Sequence, residues 1–199
     1  KSSSIPTSVA ATSLAHVEKG ESEQGEIPYR VGRGGTNVGR AVHSVLQMLN
    51  LESQSELEHL SQAQAHAEGI PDLWQQIASL ARTALESATV KAAVESGKYH
   101  REVYVGAPVG SMVLEGFVDL LFEDENGVVI VDYKTDPAVS TEDVAQLMDR
   151  YRVQGGAYAL CLSQVLAKPV SKVVFLFLHS ATEVVMDDVQ GAVEMVRGK

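Results

Sequence analysis

The chain has 199 residues, of which 45% are hydrophobic and 21% are charged, a composition typical of a globular protein with one domain, or one domain and a tail. No apolar run approaches the ~18 residues of a membrane-spanning helix, and the N-terminus lacks the apolar core and cleavage site of a signal peptide. The net charge of −10 argues against a general nucleic-acid binder, and the single cysteine excludes an internal disulfide and favours the reducing cytoplasm.

The first 35 residues differ in composition from the remainder of the chain. They are rich in Ser, Thr, Glu and Gly and contain few large apolar side chains, which predicts a flexible tail or an interdomain linker. The opening KSSS is not a typical natural N-terminus, so we expect a chain taken from a longer protein. The predicted organisation is a linker over residues 1–35 and a domain over residues 36–199.

The next segment, residues 36 to about 98, has helical periodicity. A first helix is predicted after Thr36 or Asn37, either of which can serve as N-cap. A second helix is predicted between Ser53 and His66, and a third from Pro71 to Gly97. This part of the chain therefore forms a helical N-terminal region.

From Tyr99 onward the periodicity becomes that of strands. Three strands are predicted over residues 101–109, 111–124 and 127–135, and the DENG sequence between the last two predicts a hairpin with a type I′ turn. The later elements predicted are a helix over residues 141–166, a strand over 171–179, a short strand over 182–187 and a terminal helix near 189–199.

The hairpin brings charged residues together at the end of an apolar strand. A two-residue loop sets Asp119 opposite Lys134, and a four-residue loop sets Asp119 opposite Asp132; both registers place all three side chains on one face. Two neighbouring carboxylates repel each other unless they are protonated or bridged by a cation such as Mg²⁺. The alternative is a simple ion pair between Asp119 and Lys134 with Asp132 in solvent, and both interpretations remain open at this point.

The acidic charge is concentrated around this hairpin. Residues 115–150 contain ten Asp or Glu and two Lys or Arg, which is a net charge of −8. Such a segment is either a solvated face or a metal site. His43 lies four residues after Gly39 at the flank of an apolar helical stripe, where it is either a packing residue or a metal ligand. Gly116 within a strand indicates a bulge or a close backbone approach.

The helix over residues 141–166 has polar and aromatic side chains on one face. Tyr151, Gln154 and Tyr158 share this face, either to pack on the sheet or to border the acidic site and contact substrate. The adjacent Gly155 and Gly156 lower helix propensity by about 1 kcal/mol each, which suggests that another element packs closely against them.

Five motifs occur in a fixed order along the chain. They are GRAVH (39–43), REVYV (101–105), GFVDLL (116–121), VVIVDYKTD (128–136) and YRVQGGAY (151–158). Together they resemble the RecB-type nucleases of the PD-(D/E)XK, or restriction-endonuclease-like, superfamily, as in the C-terminal nuclease domains of RecB- and AddA-like helicase–nucleases. The resemblance extends from about residue 36 to the C-terminus.

The resemblance implies a role for each matching residue. The implied metal ligands are His43, Asp119, Asp132 and the Tyr133 carbonyl. The implied catalytic residues are Asp119, Asp132 and Lys134, the residues bordering the site and contacting DNA are Tyr151, Gln154 and Tyr158, and the supporting residues are Glu102, Gly39 and Gly116. The implied cofactor is Mg²⁺ or Mn²⁺, and no iron–sulfur cluster is expected because one cysteine cannot hold it.

The implied fold is α/β, a restriction-endonuclease-like core with a mixed central sheet flanked by helices. The implied function is a metal-dependent exonuclease domain that acts on DNA ends in break repair and recombination. Its expected partners are DNA delivered as a single strand, helicase domains of the same parent chain and a second helicase–nuclease subunit, with no membrane. The alternatives are a non-catalytic domain that binds DNA or a partner subunit, and a free-standing endonuclease.

Overall fold

The computed structural model describes residues 7–11, 35–110, 112–136, 141–166, 168–186 and 188–198. Its strands are β1 (Thr7–Ala10), β2 (Tyr99–Val109), β3 (Met112–Asp124), β4 (Gly127–Lys134), β5 (Val170–Phe177) and β6 (Thr182–Val185). Its helices are α1 (Asn37–Met48), α2 (Leu57–Ala67), α3 (Trp74–Glu86), α4 (Ala88–Glu95), α5 (Thr141–Val165) and α6 (Val189–Arg197). The predicted α/β class and the helical region before the sheet are confirmed.

The strands form one mixed sheet of six strands in the order β1-β3-β4-β5-β6, with β2 paired to β3. The β2–β3, β3–β4 and β5–β6 pairs are antiparallel, and the β1–β3 and β4–β5 pairs are parallel. β2 pairs along one edge of β3. On the other edge of β3, β1 pairs with the start of the strand and β4 pairs with its end. Residues 116–119 of β3 lie between these two neighbours.

Part of the predicted linker contributes to this sheet. Within residues 1–35, β1 pairs in parallel with the start of β3, and the side chain of Ala11 is buried. The other residues before position 35 lie outside the described part of the chain. The division into linker and domain therefore stays a prediction, although the described strand belongs to the central sheet.

The N-terminal helices cover one face of the sheet. Thr36 is the N-cap of α1, and its hydroxyl oxygen accepts a hydrogen bond of 3.1 Å from the Gly39 amide. The single helix predicted from Pro71 to Gly97 is wrong, because the chain forms a 3₁₀ turn, α3 and α4. Ser87 has an extended backbone, and its side chain caps α4 by accepting from the Val90 amide.

The turn between β3 and β4 differs from the predicted type I′ geometry. The Asp124 carboxylate accepts hydrogen bonds of 2.8 Å from the Asn126 amide and 3.0 Å from the Gly127 amide. Positive φ occurs at Gly127, at 144°, and not at Glu125 or Asn126 as a type I′ turn requires. The Asp124 side chain thus takes the part of a backbone acceptor and closes the turn.

Two hydrophobic cores lie on opposite faces of the sheet. Ile130 of β4 packs on the side of α5 and α6, whereas Val129 and Val131 pack on the side of α1–α4. All eight residues of β4 are buried, as expected for a strand that is covered on both faces. The predicted close packing at the glycine pair is confirmed: a Cβ on Gly156 would lie 2.5 Å from the Ala192 carbonyl oxygen of α6. Along the described stretches of chain, no helix combines the length and apolar character needed to cross a bilayer.

Candidate metal centre

The two central aspartates lie where β3 and β4 separate. The ladder runs from Asp124 opposite Gly127 to Leu120 opposite Val131, which continues in line to Asp119 and Asp132. The register that sets Asp119 opposite Asp132 is therefore confirmed over the one that sets it opposite Lys134. Beyond this point the Tyr133 amide donates a 2.8 Å hydrogen bond to Asp119 Oδ2, so a side chain takes the place of the next backbone contact.

Helix α1 and strand β2 each bring one further potential metal ligand, His43 and Glu102, close to Asp119. His43 Nδ1 lies 2.8 Å from Asp119 Oδ1. Ligand atoms of His43, Glu102 and Asp119 all lie within 4.8 Å of one another, a spacing at which one metal ion can bind all three. Glu102, predicted only as a supporting residue, is thus grouped with two of the predicted metal ligands.

The backbone at Glu102 is strained. Its φ is 52°, in the left-handed region that a residue with a Cβ seldom occupies and that costs about 1–3 kcal/mol. The β2–β3 ladder skips Glu102 and Asp119, while Arg101 opposite Leu120 and Val103 opposite Val118 keep the same register on either side. The distortion is therefore confined to the one pair that carries both carboxylates.

Lys134 is buried next to Asp132. Its ammonium group forms an ion pair with Asp132 Oδ2, donates a 2.7 Å hydrogen bond to Gln154 Oε1 and lies 3.9 Å from the ring centroid of Tyr151. Asp132 Oδ2 has no hydrogen-bond partner of regular geometry among the described residues. The contact is thus a charge pair between two buried groups.

Side chains of helix α5 contact the Lys134 ammonium and one another. Gln154 Nε2 donates to the Tyr158 hydroxyl oxygen at 2.9 Å, and the Tyr151 hydroxyl donates to Asp136 Oδ2 at 2.6 Å. Tyr151, Gln154 and Tyr158 are all buried, and Gln154 is in direct contact with Lys134. Their predicted proximity to the site is observed, and their predicted contact with DNA stays a prediction.

The two predicted supporting glycines stand where other groups approach closely. A Cβ on Gly39 would lie 2.7 Å from the Thr135 hydroxyl oxygen, and a Cβ on Gly116 would lie 2.8 Å from Cε1 of the Tyr158 ring. Both contacts are shorter than side-chain carbons tolerate. Gly39 therefore lets α1, with His43, approach the end of β4, and Gly116 leaves room for the ring that holds Gln154.

The ionisable groups of the site perturb one another. Burial raises the pKa of Asp132 to about 6, against the attraction of Lys134. Burial has the same tendency at Asp119, but the charge and hydrogen bond of His43 and the Tyr133 amide outweigh burial and hold the pKa of Asp119 below its usual value. Burial disfavours the imidazolium of His43, yet Asp119 raises the pKa of His43 above 6.5. A bound cation would favour the deprotonated forms of all three groups.

The donor set of this centre suits a hard divalent cation. Carboxylate oxygens with one imidazole are ligands that Mg²⁺ and Mn²⁺ accept, whereas structural zinc sites are mostly built with thiolates. His43, Glu102 and Asp119 are close enough to share an ion, whereas Asp132, predicted as a further ligand, lies outside this group and pairs with Lys134. The residues present therefore fit the cofactor that the sequence predicted, and they leave its identity open.

Comparison with known proteins assigns the family. A family profile described as the PD-(D/E)XK nuclease superfamily matches residues 14–196. An ATP-dependent helicase/nuclease subunit from Thermoanaerobacter sp. (strain X514) is 30% identical over 165 residues, which cover 71% of this chain and 13% of that protein. The protein of the same name from Clostridioides difficile (strain 630) is 40% identical over 68 residues, 34% of this chain and 5% of that one.

A solved structure, that of SSO0001, has a TM-score of 0.37 and 16% identity over 81% of this chain and 80% of that one, and this likeness adds nothing to the assignment. The chain spans about an eighth of the length of the first of these helicase/nuclease relatives, at 13%. The family match covers nearly the whole chain, including every residue of the centre described above. The chain belongs to the PD-(D/E)XK nuclease superfamily.

Proposed function

We propose that this chain is a metal-dependent deoxyribonuclease domain that hydrolyses phosphodiester bonds and removes nucleotides from DNA ends. The observation that carries the proposal is the buried Lys134 ammonium, held between Asp132 and Gln154 at the end of β4. A buried cation is costly unless it is paired and hydrogen-bonded. A lysine fixed in this way beside a candidate metal centre is suited to stabilise charge that develops on a phosphate.

The roles of the residues follow from their contacts. His43, Glu102 and Asp119 would hold Mg²⁺ or Mn²⁺, and Asp132 is proposed as a further ligand. A bound ion would supply Lewis-acid stabilisation of the phosphate and a water of lowered pKa. The Tyr133 amide fixes the Asp119 carboxylate, and the Gln154 carboxamide accepts a hydrogen bond from the Lys134 ammonium and so fixes its position.

The setting in which the domain acts is also part of the proposal. The relatives named as ATP-dependent helicase/nuclease subunits are much longer than this chain, which supports helicase domains in the same parent protein as partners. A helicase would deliver a single strand to the site, in DNA break repair and recombination in the cytoplasm. A second helicase–nuclease subunit is a further proposed partner.

Two other functions remain as alternatives for the same fold. A non-catalytic domain that binds DNA or a partner subunit would not need a complete centre, whereas here the candidate ligands and Lys134 are all present. A free-standing endonuclease would cut circular DNA as readily as linear DNA. Both alternatives make predictions that one nuclease assay separates.

The assay uses end-labelled linear single strands, linear duplexes and closed circular DNA with Mg²⁺, Mn²⁺, Ca²⁺ or EDTA. We expect degradation of linear DNA in Mg²⁺ or Mn²⁺, none in EDTA, and binding with little cleavage in Ca²⁺, whose looser coordination positions water less well. The test variants are Asp119→Asn and Lys134→Ala, and the control is Lys91→Ala, on the exposed side of α4. Intact linear DNA in every metal would reject the nuclease, and cleavage of circles would favour an endonuclease.

A further inference from the structure

We propose that the Tyr104 ring is a stacking platform for one base of the single strand that enters the metal centre. This inference rests on the proposed nuclease function and adds a subsite to it. The subsite lies on the face of the paired strands β2 and β3 that carries Tyr104 and Phe117.

Tyr104 lies next to the metal centre on the same side of the sheet. On β2, Val105 and Ala107 point into the core with α5, so the alternate position Tyr104 faces the opposite side. That is the side on which α1 lies and carries His43. Tyr104 pairs with Phe117, two residues along each strand from Glu102 and Asp119.

The separation matches one nucleotide step. Two residues of a strand correspond to about 7 Å, and the Tyr104 ring extends further along the strand, to within 3.2 Å of a Cβ placed on Gly106. Neighbouring units of an extended single strand can span such a separation. A phosphate held at His43, Glu102 and Asp119 would therefore place an adjacent base over the Tyr104–Phe117 pair. No change in the backbone of β2 or β3 is needed for this contact.

The Tyr104 ring is exposed and held in one orientation. It is 56% exposed, and it is the one exposed Phe, Trp or Tyr within the described segments of the chain. Phe117 contacts it edge to face, with centroids 5.4 Å apart and planes at 62°, and its hydroxyl donates to Glu115 Oε2 at 2.8 Å. A fixed ring loses little conformational entropy when a base stacks on it.

The negative charge next to the Tyr104 ring favours a base over a phosphate at this position. Glu115 contacts the hydroxyl end of the ring, and its carboxylate repels a phosphate placed directly on this surface. An uncharged base meets no such repulsion, and every base offers a face for stacking. The geometry therefore favours a base over the Tyr104 ring and a phosphate at the metal.

Binding of a fluorescent single-stranded oligothymidylate in Ca²⁺ tests the platform without cleavage. Tyr104→Ala and Tyr104→Leu should each weaken binding by about 5- to 100-fold, the range for loss of one aromatic stacking partner. Tyr104→Phe keeps the ring and should bind within about twofold of wild type. Met195→Ala, which truncates an exposed side chain on α6, is the matched control and should have no effect. Melting temperatures verify that each variant is folded.

An abasic substitution identifies the base. We compare cleavage in Mg²⁺ of oligonucleotides that lack the base at successive positions near the labelled end. One position should slow wild type and leave Tyr104→Ala unaffected, because both changes remove the same contact. A structural role, or a surface for a protein partner, predicts that the abasic positions affect both proteins equally.

The outcomes for the two proposals differ. If wild type degrades linear DNA but Tyr104→Ala binds and cuts it equally well, the platform is rejected and the nuclease stands. If Tyr104→Phe is as weak as Tyr104→Ala, the contact with Glu115 and not the ring is responsible, which also rejects stacking. If wild type cuts no DNA with any metal, both proposals are rejected.

Discussion

Replacing Asp132 by asparagine should change how the stability of the metal-free chain depends on pH. Burial raises the pKa of Asp132 from 3.8 to about 6, so the folded chain retains this proton at pH values where the unfolded chain has lost it. Stability must therefore fall as the pH rises from about 4 through about 6. The difference corresponds to about 3 kcal/mol, or about 6–12 °C in Tm for a chain of this length.

His43 and Asp119 also affect how the stability of the folded chain changes with pH. His43, whose pKa Asp119 raises above 6.5 against the effect of burial, contributes stability below about pH 6.5 that is lost as the pH rises through its folded pKa. The pKa of Asp119 lies below 3.8, so its contribution is complete above about pH 4 and constant beyond it. The metal-free wild type should thus lose stability from about pH 4 through about pH 6 as Asp132 loses its proton, and again above pH 6.5 as His43 loses its proton.

Thermal unfolding in EDTA at a series of pH values measures the effect. The Tm of wild type should fall by about 6–12 °C more than that of Asp132→Asn between pH 4 and pH 7, because the variant carries no proton at this position. Mg²⁺ should recover the loss in wild type above pH 6 and recover less in the variant. Asp72→Asn, at an exposed aspartate, is the control. Equal pH slopes in wild type and Asp132→Asn would refute the reasoning.

Further substitutions at Lys134, Gln154 and Gly116 test the contacts around the Lys134 ammonium. Lys134→Ala should lower the cleavage rate by about 10²–10⁴ with much less effect on DNA affinity; a wild-type rate in the cleavage assay would reduce Lys134 to a structural partner. Gln154→Leu should lower the free energy of unfolding by about 1.5–3 kcal/mol in denaturant titrations, because the ammonium loses a buried hydrogen bond, whereas Gln154→Glu should retain it. Gly116→Ala should cost about 1–3 kcal/mol and slow cleavage, because its Cβ displaces the Tyr158 ring that holds Gln154; an unchanged Tm and rate would contradict that link.

Local sequence rules were sufficient to predict that β3 pairs with β4 and where α1 begins. Strand alternation predicted that Asp119, Asp132 and Lys134 share one face, which stays a prediction, and the observed ladder selects one of the two predicted registers. The small polar residues before an apolar stripe predicted the cap at Thr36 or Asn37, and Thr36 is the cap observed. These features depend on contacts between residues that are close in sequence.

The missed features depend on distant contacts or on competition between conformations. β1 was predicted within a linker because four residues carry too little pattern, and its pairing with β3 joins segments about a hundred residues apart. The break at Ser87 was missed because the helical period continues across it. No local pattern indicates the left-handed backbone of Glu102, but the β2–β3 register, which sets Glu102 opposite Asp119, could have grouped them.

The origin of the three clustered ligands has a consequence for the newly synthesised chain. His43 and Asp119 meet across 76 residues of sequence, and Glu102 joins them from a strand that must already be paired with β3. Such long-range contacts form late in folding, because the chain must first lose conformational entropy by closing the intervening loops. A nascent or partly unfolded chain therefore has no site for a cation, so any hydrolytic activity would begin only when folding is complete.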